Sequence, residues 1–146
     1  KNLDKDNALE LHFMGTAIPN LNKYGINHGM YKRGDFNKVI ADINPSFIAI
    51  LSTCPETFSH TLTESWKSGI PVIATNIGAL KERVNKTGGG WLVDYKNPQK
   101  IYDKILSIDE TDYLEKVENI SKINFKSLKE MTDEYNKIYG EMSDEL

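Results

Sequence analysis

A single cysteine, Cys54, stands in this chain of 146 residues. One thiol closes no internal disulfide and frames no metal site, so a reducing compartment is the simpler setting. Long hydrophobic runs are missing too. No stretch approaches the roughly 20 apolar residues of a membrane-spanning helix, and no signal peptide is visible. Neither sign of charge dominates: the net charge is −3 and the basic residues are scattered rather than striped, which argues against nucleic acid as the main partner. No acid-rich metal cluster is read, and no metal is expected. Internal repeats and low-complexity tracts are absent. The initiator methionine is absent as well, and the chain opens on polar Lys-Asn-Leu-Asp-Lys-Asp-Asn, which sets the expectation of a fragment spanning residues 1–146 as one domain. The length is enough for a real core, and the apolar fraction is that of a globular protein.

What is there is alternation. Leu9 to Met14 has period two and stops at Gly15, a strand pattern. Gly25 to Met30 is a weaker strand. Asp35 is placed to cap a helix whose stripe is Phe36, Val39, Ile40 and Ile43, with Pro45 as its stop. Phe47 to Leu51 is unbroken apolar, as expected of a strand covered on both faces. A helix over Ser59 to Ser68 ends at Gly69; Pro71 to Ala74 is another buried strand; Gly78 to Asn85 is a short helix. Gly88 to Gly90 turn the chain into a last strand, Trp91 to Val93. Helices follow after Pro98 (with Ile101, Ile105 and Leu106 on one face), over Tyr113 to Ile120, and over Phe125 to Tyr139. Strand and helix in alternation imply parallel strands joined by right-handed crossovers, an α/β, doubly wound, Rossmann-like sheet. Ligands of such sheets sit past the carboxyl ends of the strands, and the segment after Leu51 is at one of those ends.

That segment carries the chemistry. In Ser-His-Thr-Leu-Thr-Glu-Ser-Trp-Lys-Ser only Leu62 and Trp66 are strongly apolar, four apart on one face. Serine and threonine are mediocre helix formers, so this helix is not built for propensity. Its start offers free N–H groups and the positive end of the dipole, an anion site suited to a diphosphate. Ser59 and Thr61 are small enough to let an anion approach. Glu56 precedes that start and Glu64 lies about one turn inside. Carboxylates repel phosphate but accept from hydroxyls, and a nucleoside diphosphate sugar has hydroxyls on both sides of its diphosphate. Taken singly, Glu56 reads as a solvated loop residue and Glu64 as a first-turn acid favoured by the dipole; as a pair around an anion site they match that ligand.

The stretch Pro55-Glu56-Thr57-Phe58-Ser59, Thr61-Leu62-Thr63-Glu64, Ser68-Gly69-Ile70-Pro71-Val72-Ile73-Ala74-Thr75, Ile77-Gly78-Ala79 and Glu82-Arg83-Val84 resembles the donor-domain signature of the retaining GT-B glycosyltransferases, group 1 or family 4 type, with its Glu-x7-Glu motif. Gly88-Gly90-Trp91-Leu92-Val93 resembles that family's next strand. The specific match runs from Phe47 to Val93, and its variants look closest to bacterial enzymes that extend surface polysaccharides. The resemblance implies a C-terminal, nucleotide-sugar-binding half of a GT-B enzyme. Glu56 would contact hydroxyls of the transferred sugar near the reacting carbon. Glu64 would hold the ribose hydroxyls. Phe58, Ser59, His60 and Thr61 would form the loop and helix start that hold the diphosphate, and Met30 and Tyr31 would lie where the base is seated. It further implies a nucleotide-sugar substrate such as a UDP-sugar, no cofactor, a glycan or lipid-linked acceptor bound by an N-terminal domain, and a cytoplasmic enzyme in peripheral contact with the inner face of the membrane. One departure stands out. The family's Arg and Lys after its first strand have no counterpart, since Lys5 and Lys23 do not fit the pattern; the chain reads as beginning past them, and as inactive by itself. The alternatives are a non-catalytic nucleotide-binding module and a GT-B-type sugar-nucleotide epimerase, although the epimerase phosphate loop is not seen.

Other residues carry plainer expectations. His60 either contacts phosphate or pairs with Glu64 across one turn. His12 and His28 are structural, Cys54 is a small packed residue, and Trp66 and Trp91 fill core. Lys81 and Arg83 form a solvated face. Tyr135 and Tyr139 are expected to pack on the sheet, unless the last helix crosses, as in GT-B enzymes, to an N-terminal domain.

Overall fold

The structure, a computed structural model, describes residues 3–16 and 19–143. Five short strands and six α-helices alternate through them: β1 His12–Met14, β2 Ile26–Gly29, α1 Phe36–Ile43, β3 Ile48–Ile50, α2 His60–Lys67, β4 Val72–Thr75, α3 Gly78–Thr87, β5 Gly90–Val93, α4 Pro98–Leu106, α5 Glu110–Ser121 and α6 Leu128–Ser143. Every strand pair is parallel. The sheet is not continuous, however. β1 and β2 form one sheet, and β3, β4 and β5, in that order, form another.

β4 is the centre of the larger sheet, and all four of its residues are buried. Its pleat sends alternate side chains to opposite faces. Val72 and Ala74 join Ile50, Leu62, Trp66, Leu80, Val84 and Ile120 in a core under α2 and α3. Ile73 joins Trp91 and Val93 in a second core beneath α4, packed by Ile101, Ile105 and Ile108. Helices on both faces make the sheet doubly wound, as the alternation predicts. Trp66 and Trp91 are core residues, one on each face. The indole N–H of Trp91 also donates to Asp112 Oδ2 at 2.7 Å, tying α5 to β5. Burial pushes the Asp112 carboxyl up, but that bond together with Lys116 and Lys104 brings it below the usual carboxylate range.

Several expectations need correction. The apolar run Phe47–Leu51 is not covered on both faces: Ala49 is exposed and Leu51 is 45% exposed. β3 is the edge of its sheet, and its outer side has no strand among the described residues. Only the end of Leu9–Met14 is strand, because the preceding chain is drawn into a turn around Asp4, whose carboxylate accepts from the amides of Ala8 at 2.8 Å and Leu9 at 3.3 Å. Asp4 and Asp6 do have an Asp-x-Asp spacing that the sequence reading passed over. Asp4 is 3% exposed and also accepts from the Tyr102 hydroxyl, so it serves as a structural acceptor. Among the described residues no group of three or more His, Cys, Asp or Glu side chains is placed to hold a metal ion.

Asp35 precedes α1 with helical angles and no side-chain cap; the helix is closed instead by Asn44, left-handed at φ 50°, whose N–H reaches the Ile40 carbonyl. Phe125 lies ahead of α6 and packs on the core, and α6 itself starts at Leu128. Tyr135 and Tyr139 are 57% and 66% exposed, so neither packs on the sheet as expected. No helix among the described residues is long and apolar enough to cross a membrane.

Candidate functional site

β3 delivers the chain to the loop 51–59, which leads into α2. Two anchors seat this loop. The Thr75 hydroxyl, at the end of β4, donates to the Ser52 carbonyl at 2.7 Å. Further along, the Ala79 amide donates to the Glu56 carbonyl at 3.0 Å. The second anchor needs glycine at position 78. Gly78 has φ 50°, and a Cβ there would stand 2.9 Å from the Glu56 carbonyl oxygen and 3.0 Å from Pro55 Cα. Backbone atoms cannot yield to it as a flexible side chain would. Gly78→Ala is therefore expected to cost about 1–3 kcal/mol of stability and to shift Glu56, seen as a lower Tm and as moved amide resonances of residues 55–57.

Glu56 and Glu64 are both half-buried. Neither carboxylate has a hydrogen-bond or ion-pair partner among the described residues. They are acceptors with nothing to accept from within the fold. The Glu64 backbone carbonyl, by contrast, is occupied by the amide and the hydroxyl of Ser68, both at 3.1 Å, which close the end of α2.

Between the two glutamates lies Ser59, which is 6% exposed. Its backbone is left-handed, at φ 63° and ψ 90°, and its side chain makes no cap. Oγ is buried without a partner. A capping serine would occupy one of the free N–H groups of the helix start; here none is used in that way. His60 and Thr61 are exposed. The His60 ring meets Phe58 edge-on at 5.1 Å, rather than pairing with Glu64. Phe58 is 48% exposed.

The structure thus gathers Glu56, Phe58, Ser59, His60, Thr61 and Glu64 on one loop and helix start. Met30 and Tyr31 belong to the other sheet, past the carboxyl end of β2. Met30 accepts from Thr16 Oγ1 at 2.9 Å, and the Tyr31 ring packs against Phe36 at 5.5 Å. His12 and His28 stack at 5.1 Å, with His12 Nδ1 2.8 Å from His28 Nε2. Cys54 is exposed, not packed. Two surface clefts, of about 270 and 430 Å³, lie by Tyr24 and Gly25 and between Leu9, Phe47 and Ile105. Neither is lined by residues 55–64.

Arg83 is the residue that the sequence reading missed. It does not belong to a solvated face. Its Nη1 donates to the carbonyls of Phe58 at 2.6 Å and Ser59 at 3.0 Å, and its Nη2 to Thr63 Oγ1 at 2.8 Å. The guanidinium carbon lies 4.3 Å from the Phe58 ring centre and 5.3 Å from that of Trp66. Arg83 follows the buried Leu80 by three positions and precedes the buried Val84. That position on the edge of the α3 stripe is the one signal the sequence offered.

Parallel strands with helices on both faces, and a polar helix start beyond a strand's carboxyl end, define a Rossmann-like α/β domain. The sequence profile of the glycosyl transferases group 1 matches residues 1–110, and the chain belongs to that family. It is 31% identical over 81 residues to the putative colanic acid biosynthesis glycosyl transferase WcaC of Escherichia coli (strain K12), an overlap of 56% of this chain and 20% of WcaC. Among solved structures it resembles Anabaena Alr3699/HepE in complex with UDP-glucose, with a TM-score of 0.60 and 21% identity over 78% of this chain and 34% of that one. The same protein in complex with UDP and glucose gives a TM-score of 0.58 and 22% identity over 74% and 33%. At these identities the likeness to HepE is one of fold, that of the GT-B glycosyltransferases. The chain spans 20% of the length of WcaC and about a third of HepE.

Proposed function

We propose that this chain is the donor-binding part of a retaining glycosyltransferase that moves a sugar from a UDP-sugar to a glycan or lipid-linked acceptor. The observation that carries the reading is the pair of half-buried, unpartnered carboxylates, Glu56 and Glu64, on either side of an uncapped helix start. Family membership and the UDP and glucose bound to HepE support it. In this reading the amides of Ser59, His60 and Thr61 take the diphosphate, helped by the helix dipole. Glu64 accepts from the ribose hydroxyls. Glu56 accepts from hydroxyls of the transferred sugar, close to the carbon that changes partners. Phe58 walls the cradle, and Met30 and Tyr31 lie toward the base. Negative charge that builds on the leaving diphosphate is met by fixed N–H dipoles, which need no reorganisation during the reaction. No metal or cofactor has a part in this scheme. The acceptor would be held by the rest of the whole enzyme, in the cytoplasm at the inner face of the membrane; the polysaccharide role in the name of WcaC supports such an acceptor.

The test is nucleotide binding. Glu64→Ala is expected to weaken UDP about tenfold or more, the worth of hydrogen bonds to a charged acceptor, and to leave inorganic pyrophosphate binding unchanged. Isothermal titration with both ligands measures this. Equal UDP affinity in the variant would remove Glu64 from the site.

A further inference from the structure

We infer that Arg83 is a positioning residue for the diphosphate: from behind the loop it aims the amides of Ser59 and His60 at the ligand and gives the cradle its positive charge. The inference rests on the donor reading and adds to it a residue that the reading does not use.

The first argument is geometric. A peptide unit is planar and trans, so its C=O and N–H point in opposite directions. The carbonyls of Phe58 and Ser59 both point at Arg83 Nη1, at 2.6 and 3.0 Å. The amides of Ser59 and His60, in those same two peptide planes, must therefore point away from Arg83. Neither amide has a partner among the described residues. An ordinary helix start would turn the carbonyl of its capping residue toward the helix and spend the capping side chain on an N–H. Here the Ser59 carbonyl is turned to Arg83, in a left-handed conformation that side-chain-bearing residues rarely adopt. Its Oγ is buried and unpartnered. The serine is held for its backbone, and the holding group is a guanidinium fork whose other arm fixes Thr63.

The second argument is electrostatic. Arg83 has no carboxylate partner among the described residues. Its charge is met by carbonyl dipoles and by the faces of Phe58 and Trp66. Burial pushes its pKa down, and a desolvated cation without a counter-ion favours an anion close by. The amides that it aims make the facing surface the place for that anion.

The experiment compares UDP with uridine on this chain, its Arg83→Gln variant and its Arg83→Lys variant, by titration and by amide chemical shifts. Glutamine removes charge and fork; it is expected to weaken UDP about tenfold or more with uridine unchanged, so the ratio of the two affinities collapses. Lysine keeps the charge and loses the fork. It is expected to fall between, with the Ser59 and His60 amides no longer responding to UDP as in the wild type. If both variants keep the wild-type ratio, or lose UDP and uridine alike, the inference is overturned while the donor reading stands. If the unaltered chain takes up no UDP, the donor reading falls and this inference with it.

Discussion

Glu56→Gln in the whole enzyme is expected to lower the rate of sugar transfer by about a hundredfold or more while leaving UDP affinity as it was. The substitution keeps the size of the side chain and removes its charge. Glu56 is half-buried and has no internal partner, so the fold does not depend on its carboxylate. Its position is set by the backbone, through the Ala79 bond and the space left by Gly78, and the amide variant inherits that position. On the proposed reading, what changes is a negative charge near the sugar carbon, where positive charge would develop as the leaving diphosphate departs. An interaction made mainly in the transition state appears in kcat, and an interaction made equally in the ground state appears in KM. Single-turnover transfer from a radiolabelled donor, set beside UDP titration, separates the two. Wild-type transfer by the variant would remove Glu56 from the chemistry.

Trp66→Ala is expected to be the most damaging change to stability, about 3–5 kcal/mol, which for a domain of this size is roughly 10 °C in Tm. Trp66 is 2% exposed and packs in the core beneath α2 and α3. Its indole N–H also donates to the Gly89 carbonyl at 2.8 Å. Alanine opens a cavity and removes that bond, leaving the carbonyl only the Val72 amide at 3.3 Å, two costs that add. Trp66→Phe refills most of the space but restores no donor, so its expected loss is about 1–3 kcal/mol. Thermal unfolding of the two variants divides packing from hydrogen bonding. A phenylalanine variant as stable as the wild type would show the Gly89 bond to be of no consequence.

The order of elements was legible because each depends on nearby residues. Leu62 and Trp66, four apart in an otherwise polar run, put one face of α2 in the core, and both are buried. The run Val72–Ala74 is buried on both faces, as an unbroken apolar strand suggests. Phe47–Leu51 has the same pattern and a different outcome. An apolar run records the character of a strand, not its neighbours, and among the described residues β3 has a strand on one side only. The division into two sheets was hidden for the same reason. Glu56 and Glu64 could be singled out from the polar helix start they flank and from the resemblance that their motif carries. Arg83 could not, because its partners Phe58 and Ser59 are 25 and 24 positions away and are reached only once α3 has docked. The left-handed turn at Ser59 was equally silent, since nothing in a serine marks a positive φ. Tyr135 and Tyr139 have a helix-like spacing, but spacing does not say whether a surface exists to receive the stripe.

β4 acts as a party wall. Val72 and Ala74 feed the room that supports the start of α2, whereas Ile73 feeds the room closed by α4, and β5 continues the division, with Leu92 on the first side and Trp91 and Val93 on the second. Substitutions in separate rooms should add rather than couple. Changes on the α4 side are therefore expected to leave the face that carries the start of α2 in its shape.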